Sequence, residues 1–163
     1  MPTDIIVREI ASEADVLQIE KICQAAWKPV YDLRKKIIDT DIFESIYGDG
    51  ENRKAINVAN WCRQNKQNTR VATIDGTVAG FVTWEEYNSD IVELCNNAVA
   101  PEFHRRGVAS ALYSWFIREM KERNYKSTFV FTGLDEPHEP AFRAYQKIGF
   151  SMPIETVRLY KKL

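Results

Sequence analysis

The sequence predicts a mixed α/β domain with an antiparallel centre, on three observations. Asp75-Gly76 separates two strand-like runs, residues 70–74 and 78–84, and Asp-Gly in that position is the strongest short hairpin signal in the chain. Residues 91–99 form a longer apolar run that leads through a tight basic loop into a helical pattern. There Val108, Ala111, Leu112, Trp115 and Phe116 recur at i, i+3, i+4, i+7 and i+8, followed by Met120. The chain as a whole orders as strand, three or four helices, two strands, a third strand, helix, strand, helix, strand, which describes one domain spanning residues 1–163.

Each element has a local reason. Residues 5–10 alternate weakly and read as a first strand. Ser12-Glu-Ala-Asp15 resembles a capping box and opens a helix whose apolar face is Val16, Ile19, Ile22, Cys23, Ala26 and Trp27. Lys28-Pro29 is expected to end it, because proline lacks an N–H and restricts the residue before it. Residues 30–47 carry a second apolar pattern, one or two short helices, broken by Gly48-Asp-Gly50. A further helix runs through Ala55, Val58, Ala59 and Cys62, with Trp61 beside that stripe. After the hairpin, Asn88-Ser-Asp90 leads into strand 91–99, and the following helix covers about 107–123. Residues 127–132 are rich in β-formers. Pro140 suits the first turn of another helix and Gly149 its C-terminal cap, and residues 156–160 read as a last strand.

Composition narrows the class. The chain has 163 residues, enough for one sizeable core, and is 45% hydrophobic and 28% charged. A net charge of −1 gives no general reason to expect a nucleic-acid or membrane partner, so any positive potential is local. Cys23, Cys62 and Cys95 are odd in number and lie on apolar faces, which points to buried thiols rather than disulfides or metal ligands. No metal site is expected. The start Met1-Pro-Thr-Asp does not read as a secretory leader and no apolar run reaches membrane-spanning length, so the cytoplasm is the expected compartment.

The loop His104-Arg105-Arg106-Gly107-Val108-Ala109 sits where a strand turns into a helix. A helix N-terminus carries unsatisfied N–H donors and partial positive charge, small residues at 107 and 109 allow an anion to approach, and two arginines add fixed charge. It is a candidate phosphate cradle. It lacks the Gly-Lys-Ser/Thr of a P-loop and is not a dinucleotide fingerprint. Taken alone, a basic residue before glycine at such a turn is ordinary loop geometry.

Three segments in order nevertheless resemble the GNAT superfamily of acetyl-CoA-dependent N-acetyltransferases. Val99-Ala-Pro101, Phe103 and residues 104–109 are similar to the family's strand and pyrophosphate loop, Arg/Gln-x-x-Gly-x-Gly/Ala. Ala141-Phe-Arg-Ala-Tyr-Gln-Lys-Ile-Gly-Phe150 resembles its Ala-x-x-x-Tyr-x-x-x-Gly-Phe helix, and Asp75-Gly76 with Ala79-Gly80-Phe81 a common family hairpin. The resemblance covers about half the chain, residues 70–150, and implies a mixed, mainly antiparallel central sheet flanked by helices on both faces. Two positions depart from the pattern: His104 stands where Arg or Gln is usual, and His138 where many members carry asparagine.

The resemblance implies acetyl-CoA as acyl donor and direct attack by an amine within a ternary complex. It assigns the donor to the segment Asn97, Ala98 and Val99, to His104, Arg105, Arg106, Gly107, Val108, Ala109 and Ser110, and to His138 and Phe142. The strand segment would be bulged, pair with the pantetheine arm and offer a backbone N–H to the carbonyl oxygen. Tyr145 occupies the position of the acid that protonates the leaving thiolate, although the same residue packing on its helix face is the plain alternative. Glu93 is the first candidate base, with Glu85 and Glu86 as competitors. Trp27, Tyr31, Trp84 and Glu85 are candidate acceptor contacts, with Phe43 and Tyr47 nearby in the pattern, although aromatics at helical spacing are more often core. The partner is a small-molecule or peptide amine, and a homodimer is compatible with the family. Two other classes stay open: a CoA-binding module without catalysis, acting as sensor or interaction domain, and a nucleotide-binding α/β protein.

Overall fold

The computed structural model describes residues 4–163 and organises them around one five-stranded sheet. Its strands are β1 (Ile6–Arg8), β2 (Thr69–Ile74), β3 (Thr77–Asn88), β4 (Ile91–Val99) and β5 (Ser127–Val130), adjacent in that order. The first four are antiparallel neighbours and β5 runs parallel to β4. The β2–β3 hairpin turns on Asp75-Gly76 with φ of 50° and 78°, the two positive values its twist requires. A parallel pair needs a crossover, and α4 (Val108–Glu122) supplies it.

Helices cover both faces, as the resemblance implies. On one side α1 (Glu13–Ile37) and α3 (Glu51–Gln64) pack Ile19, Cys23, Val58 and Cys62 against Val71 and Phe81. On the other, α4 and α5 (Glu139–Lys147) pack Leu112, Phe116 and Tyr145 against Val82, Trp84 and Leu94. β2 is buried along its whole length between these layers. Gly80 lets the layers close, since a Cβ there would meet Ala98 O at 2.8 Å and Val108 Cγ1 at 3.0 Å. Pro140 stands in the first turn of α5, and Gly149 follows its end with φ of 103°. Cys23 and Cys62 are buried and free.

Four local expectations are corrected. Pro29 does not end the first helix: α1 continues to Ile37, and α2 (Thr40–Tyr47) follows it. Pro29 and Ala25 both face solvent, so the Ala25 carbonyl that loses its helical donor is open to water. Ser12 occupies the N-cap position but its side chain makes no capping bond. Asp15 acts instead, accepting from Ala11 N–H at 2.8 Å and from both Arg8 Nη atoms at 2.6 and 3.0 Å, which ties β1 to α1. The run 156–160 forms no strand. It lies outside the sheet, exposed but for the half-buried Tyr160, whose hydroxyl is 2.5 Å from that of Tyr47 on α2, and just beyond the run Lys162 pairs with Asp41. Finally, the break in β4 falls at Cys95-Asn96, just before the segment expected to carry it, as described below.

The Asp15 cluster predicts a pH-dependent stability. The hydrogen bond from Arg8 holds the Asp15 carboxyl below the usual aspartate range despite burial. A depressed acid stabilises the fold above its unfolded pKa, and that stabilisation is lost as pH falls through the folded value. Asp15→Asn is therefore expected to cost about 1.5–3 kcal/mol at pH 7. The deficit relative to the parent should shrink at pH 3, as measured by urea unfolding at both pH values.

Candidate active site

β4 and β5 separate partway along. Their parallel register runs from Ile91 opposite Ser127 to Leu94 opposite Val130 and stops there. β4 continues to Val99, paired only to β3, so the edge that faced β5 lacks a strand partner over its second half. The opening is part of a groove of about 1800 Å³. The β4 residues 94–99 form one wall and Phe131 and Thr132 beyond β5 another; the start of α4, one side of α5 and, from the other layer, residues of α1 and α3 line the rest.

A bulge distributes the β4 side chains. Val82 pairs with Asn97 and Trp84 with Leu94, so Cys95 and Asn96 together oppose Thr83, whose hydroxyl donates to Asn96 O at 3.0 Å. In a regular strand Leu94 and Asn97 would face opposite ways; the extra residue puts them on the same face. Asn97 Oδ1 accordingly accepts from Tyr113 OH on α4 at 2.6 Å and from Tyr145 OH on α5 at 2.9 Å. Asn96 points to the other layer, where its Oδ1 accepts from Lys54 Nζ on α3 at 2.7 Å.

Tyr145 is nearly buried, its ring 5.3 Å from that of Tyr113 and 5.8 Å from Phe150, and it borders the groove. Burial pushes its phenol above the ordinary tyrosine range, with Asn97 and Tyr113 pulling the other way, so the proton stays on at neutral pH. Burial raises Tyr113 further. Glu93 and Glu85 are direct cross-strand partners on β4 and β3 and both line the groove. Burial and then the Glu85 charge raise the Glu93 carboxyl above the ordinary glutamate range. Glu85 is held by Trp61 Nε1–H at 3.0 Å, whereas no hydrogen bond is made to the Glu93 carboxylate among the described residues. Glu86 is engaged by Tyr125 OH at 2.7 Å and does not line the groove. The Cys95 thiol, also on the groove, is pushed up to about 12 by burial and these glutamates and stays neutral.

The basic loop forms the groove's far end. Gly107, with φ of 87°, caps α4 without a side-chain bond, and the first helical bond is Ala111 N–H to Gly107 O at 2.9 Å. The N–H groups of Val108, Ala109 and Ser110 therefore have no helical acceptor, and all three residues line the groove. His104 Nε2 lies 3.0 Å from Val99 O, so its ring is tied to the end of β4. Arg105 borders the groove from a left-handed backbone (φ 58°), whereas Arg106 is off it, its guanidinium 5.1 Å from the Phe103 ring centroid.

The remaining expected residues divide. Ala98, Val99, His138 and Trp27 line the groove, and His138 Nδ1 lies 2.6 Å from Asp135 Oδ1. Phe142 does not line it. Trp84 is only 2% exposed, packed against Trp115 and Phe116 in the sheet core, and Tyr31 packs edge-on to Phe43 and Tyr47. Neither touches the groove, because each lies on the inner side of its element. The sequence singles out neither Lys54 nor Tyr113, and places Trp61 only beside the apolar stripe of its helix. Only Trp61, off the apolar stripe of its helix, left a signal. Among the described residues no group of three or more His, Cys, Asp and Glu side chains is placed to hold a metal, and no helix is long and apolar enough to cross a membrane.

Solved structures with this architecture are numerous. Ard1 from Thermoplasma volcanium superposes with a TM-score of 0.68 at 23% identity, over 92% of this chain and 84% of that one. The PaiA N-acetyltransferase of Thermoplasma acidophilum, solved with coenzyme A, gives 0.66 at 19% identity over 92% and 91%. The aminoglycoside acetyltransferase AAC(6')-Iy, solved with a bisubstrate analogue joining CoA to an acetylneamine, gives 0.65 at 15% identity over 99% and 100%. At these identities the likeness is one of fold. The family profile described as "Acetyltransferase (GNAT) family" matches residues 33–150, which takes in the hairpin, the splayed strand, the basic loop and the tyrosine helix. The chain belongs to the GNAT acetyltransferase family.

Proposed function

We propose that the protein transfers an acetyl group from acetyl-CoA to a primary amine by direct attack in a ternary complex, with residues 1–163 acting as one catalytic domain. The observation that carries this reading is that Tyr145 OH, held on Asn97, and the Glu93 carboxylate open onto the same groove, beside a β4 edge without a strand partner. The groove fits the donor in three respects: an extended edge for the pantetheine amides, uncapped N–H groups at 108–110 for the pyrophosphate, and Arg105 beside them. Acetyl-CoA would supply an activated thioester. The chain's own residues supply the rest. Glu93, with its raised pKa, takes the ammonium proton directly or through water, and a β4 N–H meets the carbonyl oxygen. Tyr145 donates to the departing sulfur, and the Tyr113 hydroxyl, turning from Asn97, would support the phenolate that remains. The structures solved with coenzyme A and with a CoA–acetylneamine analogue lend support by analogy of fold. Self-association as a homodimer is supported by the open outer edge of β5 and the exposed apolar Ile154, Val157 and Leu159.

The test is calorimetric titration with acetyl-CoA, followed by release of free CoA thiol against a panel of amines. Binding followed by amine-dependent thiol release is expected. Tight binding with no release on any amine would assign the protein to the sensor class instead, and competition by ATP as strong as by CoA would assign it to general nucleotide binding.

A further inference from the structure

Lys54 is a half-buried cation whose charge no carboxylate answers. From the first turn of α3 its Nζ donates to Asn96 Oδ1 at 2.7 Å and lies 5.3 Å from the centroid of the Trp27 ring, and it borders the groove beside Trp27 and Cys95. An ammonium has three N–H donors, and one is engaged here. Among the described residues no acidic group lies within ion-pair distance of it, and Glu51, three residues earlier on α3, has a buried Oε2 without a partner of its own. Arg34, stacked 5.2 and 5.1 Å from the Tyr31 and Tyr47 rings, adds its charge to this side and, after burial itself, disfavours the Lys54 ammonium. Burying a charge without a counterion is costly, so an unanswered ammonium facing a groove invites an anion. A few residues along the same wall the charge reverses, at the Glu85–Glu93 pair.

A simple alkylamine suits the glutamates but brings nothing to Lys54. We infer that the amine acceptor also carries a carboxylate, which Lys54 Nζ holds against the Trp27 indole while the amine lies at the Glu85–Glu93 pair. This rests on the acetyltransferase reading above. Lys54 is then a specificity-determining residue, acting on acceptor affinity and not on the chemical step. The carboxylate has the same chemistry whether it belongs to a free amino acid or to the end of a peptide.

The experiment compares matched acceptors that differ only in the carboxylate: 6-aminohexanoate with hexylamine, leucine with leucinamide, and a dipeptide with its C-terminal amide. In at least one pair the carboxylate-bearing member is expected to be favoured at least about tenfold in kcat/KM, and the winning pair tells amino acid from peptide. Lys54→Met should abolish that preference by raising KM for the carboxylated member, leaving kcat and the neutral partner's KM little changed, and Lys54→Arg should restore part of it. Equal or better use of the neutral member in every pair by the parent protein overturns the inference without recourse to any variant. So does a Lys54→Met effect that is the same on both members. Thiol release absent with all six acceptors overturns the acetyltransferase reading instead. Titration of 6-aminohexanoate and hexylamine into the CoA-bound protein then tests the Lys54 site separately: tighter binding of the carboxylate sustains a carboxylate site at Lys54, and equal binding sinks it.

Discussion

Replacing Tyr145 with Phe is expected to lower kcat by about 10²-fold or more, the range for a positioned general acid, equivalent to about 2.7 kcal/mol of barrier. The packing survives, because the ring keeps its neighbours Tyr113 and Phe150. One hydrogen bond to Asn97 is lost, at a cost of about 1 kcal/mol in stability, and Asn97 Oδ1 keeps its bond from Tyr113. Acetyl-CoA affinity should change little, since the phenol's donation strengthens only as the sulfur gains charge. Steady-state thiol release and calorimetry on the same preparation separate these quantities. An unchanged kcat would remove Tyr145 from the chemistry and leave it as a packing residue. Its raised pKa also predicts that the alkaline loss of activity from this group lies above the ordinary tyrosine range.

Glu93→Gln is expected to depress the rate at neutral pH by about 10²-fold and to move the pH–rate profile toward higher pH. With Glu93 raised by burial and by Glu85, the proposed base is expected to be lost on the acid side at a pH above the ordinary glutamate range. In the variant that limb disappears, and the rate follows the acceptor amine's own deprotonation. Stability should move the other way. A carboxyl whose folded pKa is raised binds its proton more tightly in the folded state, so it works against folding once pH rises through that value. The variant should therefore be at least as stable as its parent at pH 7, so a fall in rate reports chemistry rather than misfolding. An unaltered profile would transfer the proton to Glu85 or to bulk water; Glu86, held by Tyr125 off the groove, becomes the poorer candidate.

Much of this site is legible before folding because its parts are local. The Asp75-Gly76 turn, the glycine before α4 and the Pro140 and Gly149 ends of α5 each depend on backbone preferences of one or two residues, and those preferences act whatever surrounds them. Where tertiary contacts compete, local signals misled. Pro29 carries a strong stop signal, yet packing on both sides of it sustains α1, and one exposed carbonyl is a small loss. Residues 156–160 have a strand's composition and no strand beside them in the sheet. Trp84 and Tyr31 show that an aromatic residue carries no mark of whether it faces a groove or the core behind it.

The elements from β1 to α5, the basic loop and the tyrosine are legible in the chain because they rest on dihedral preferences, periodicity and short spacings. The motifs among them carry the resemblance to the family. Which side chains meet is settled by packing between elements distant in the chain. The two-for-one bulge at Cys95-Asn96 turns Asn97 toward Tyr113 and Tyr145 and leaves Asn96 to Lys54, joining residues 42 and 48 positions apart in the chain. A single extra residue in a strand reverses the facing of all that follow, and composition does not record it.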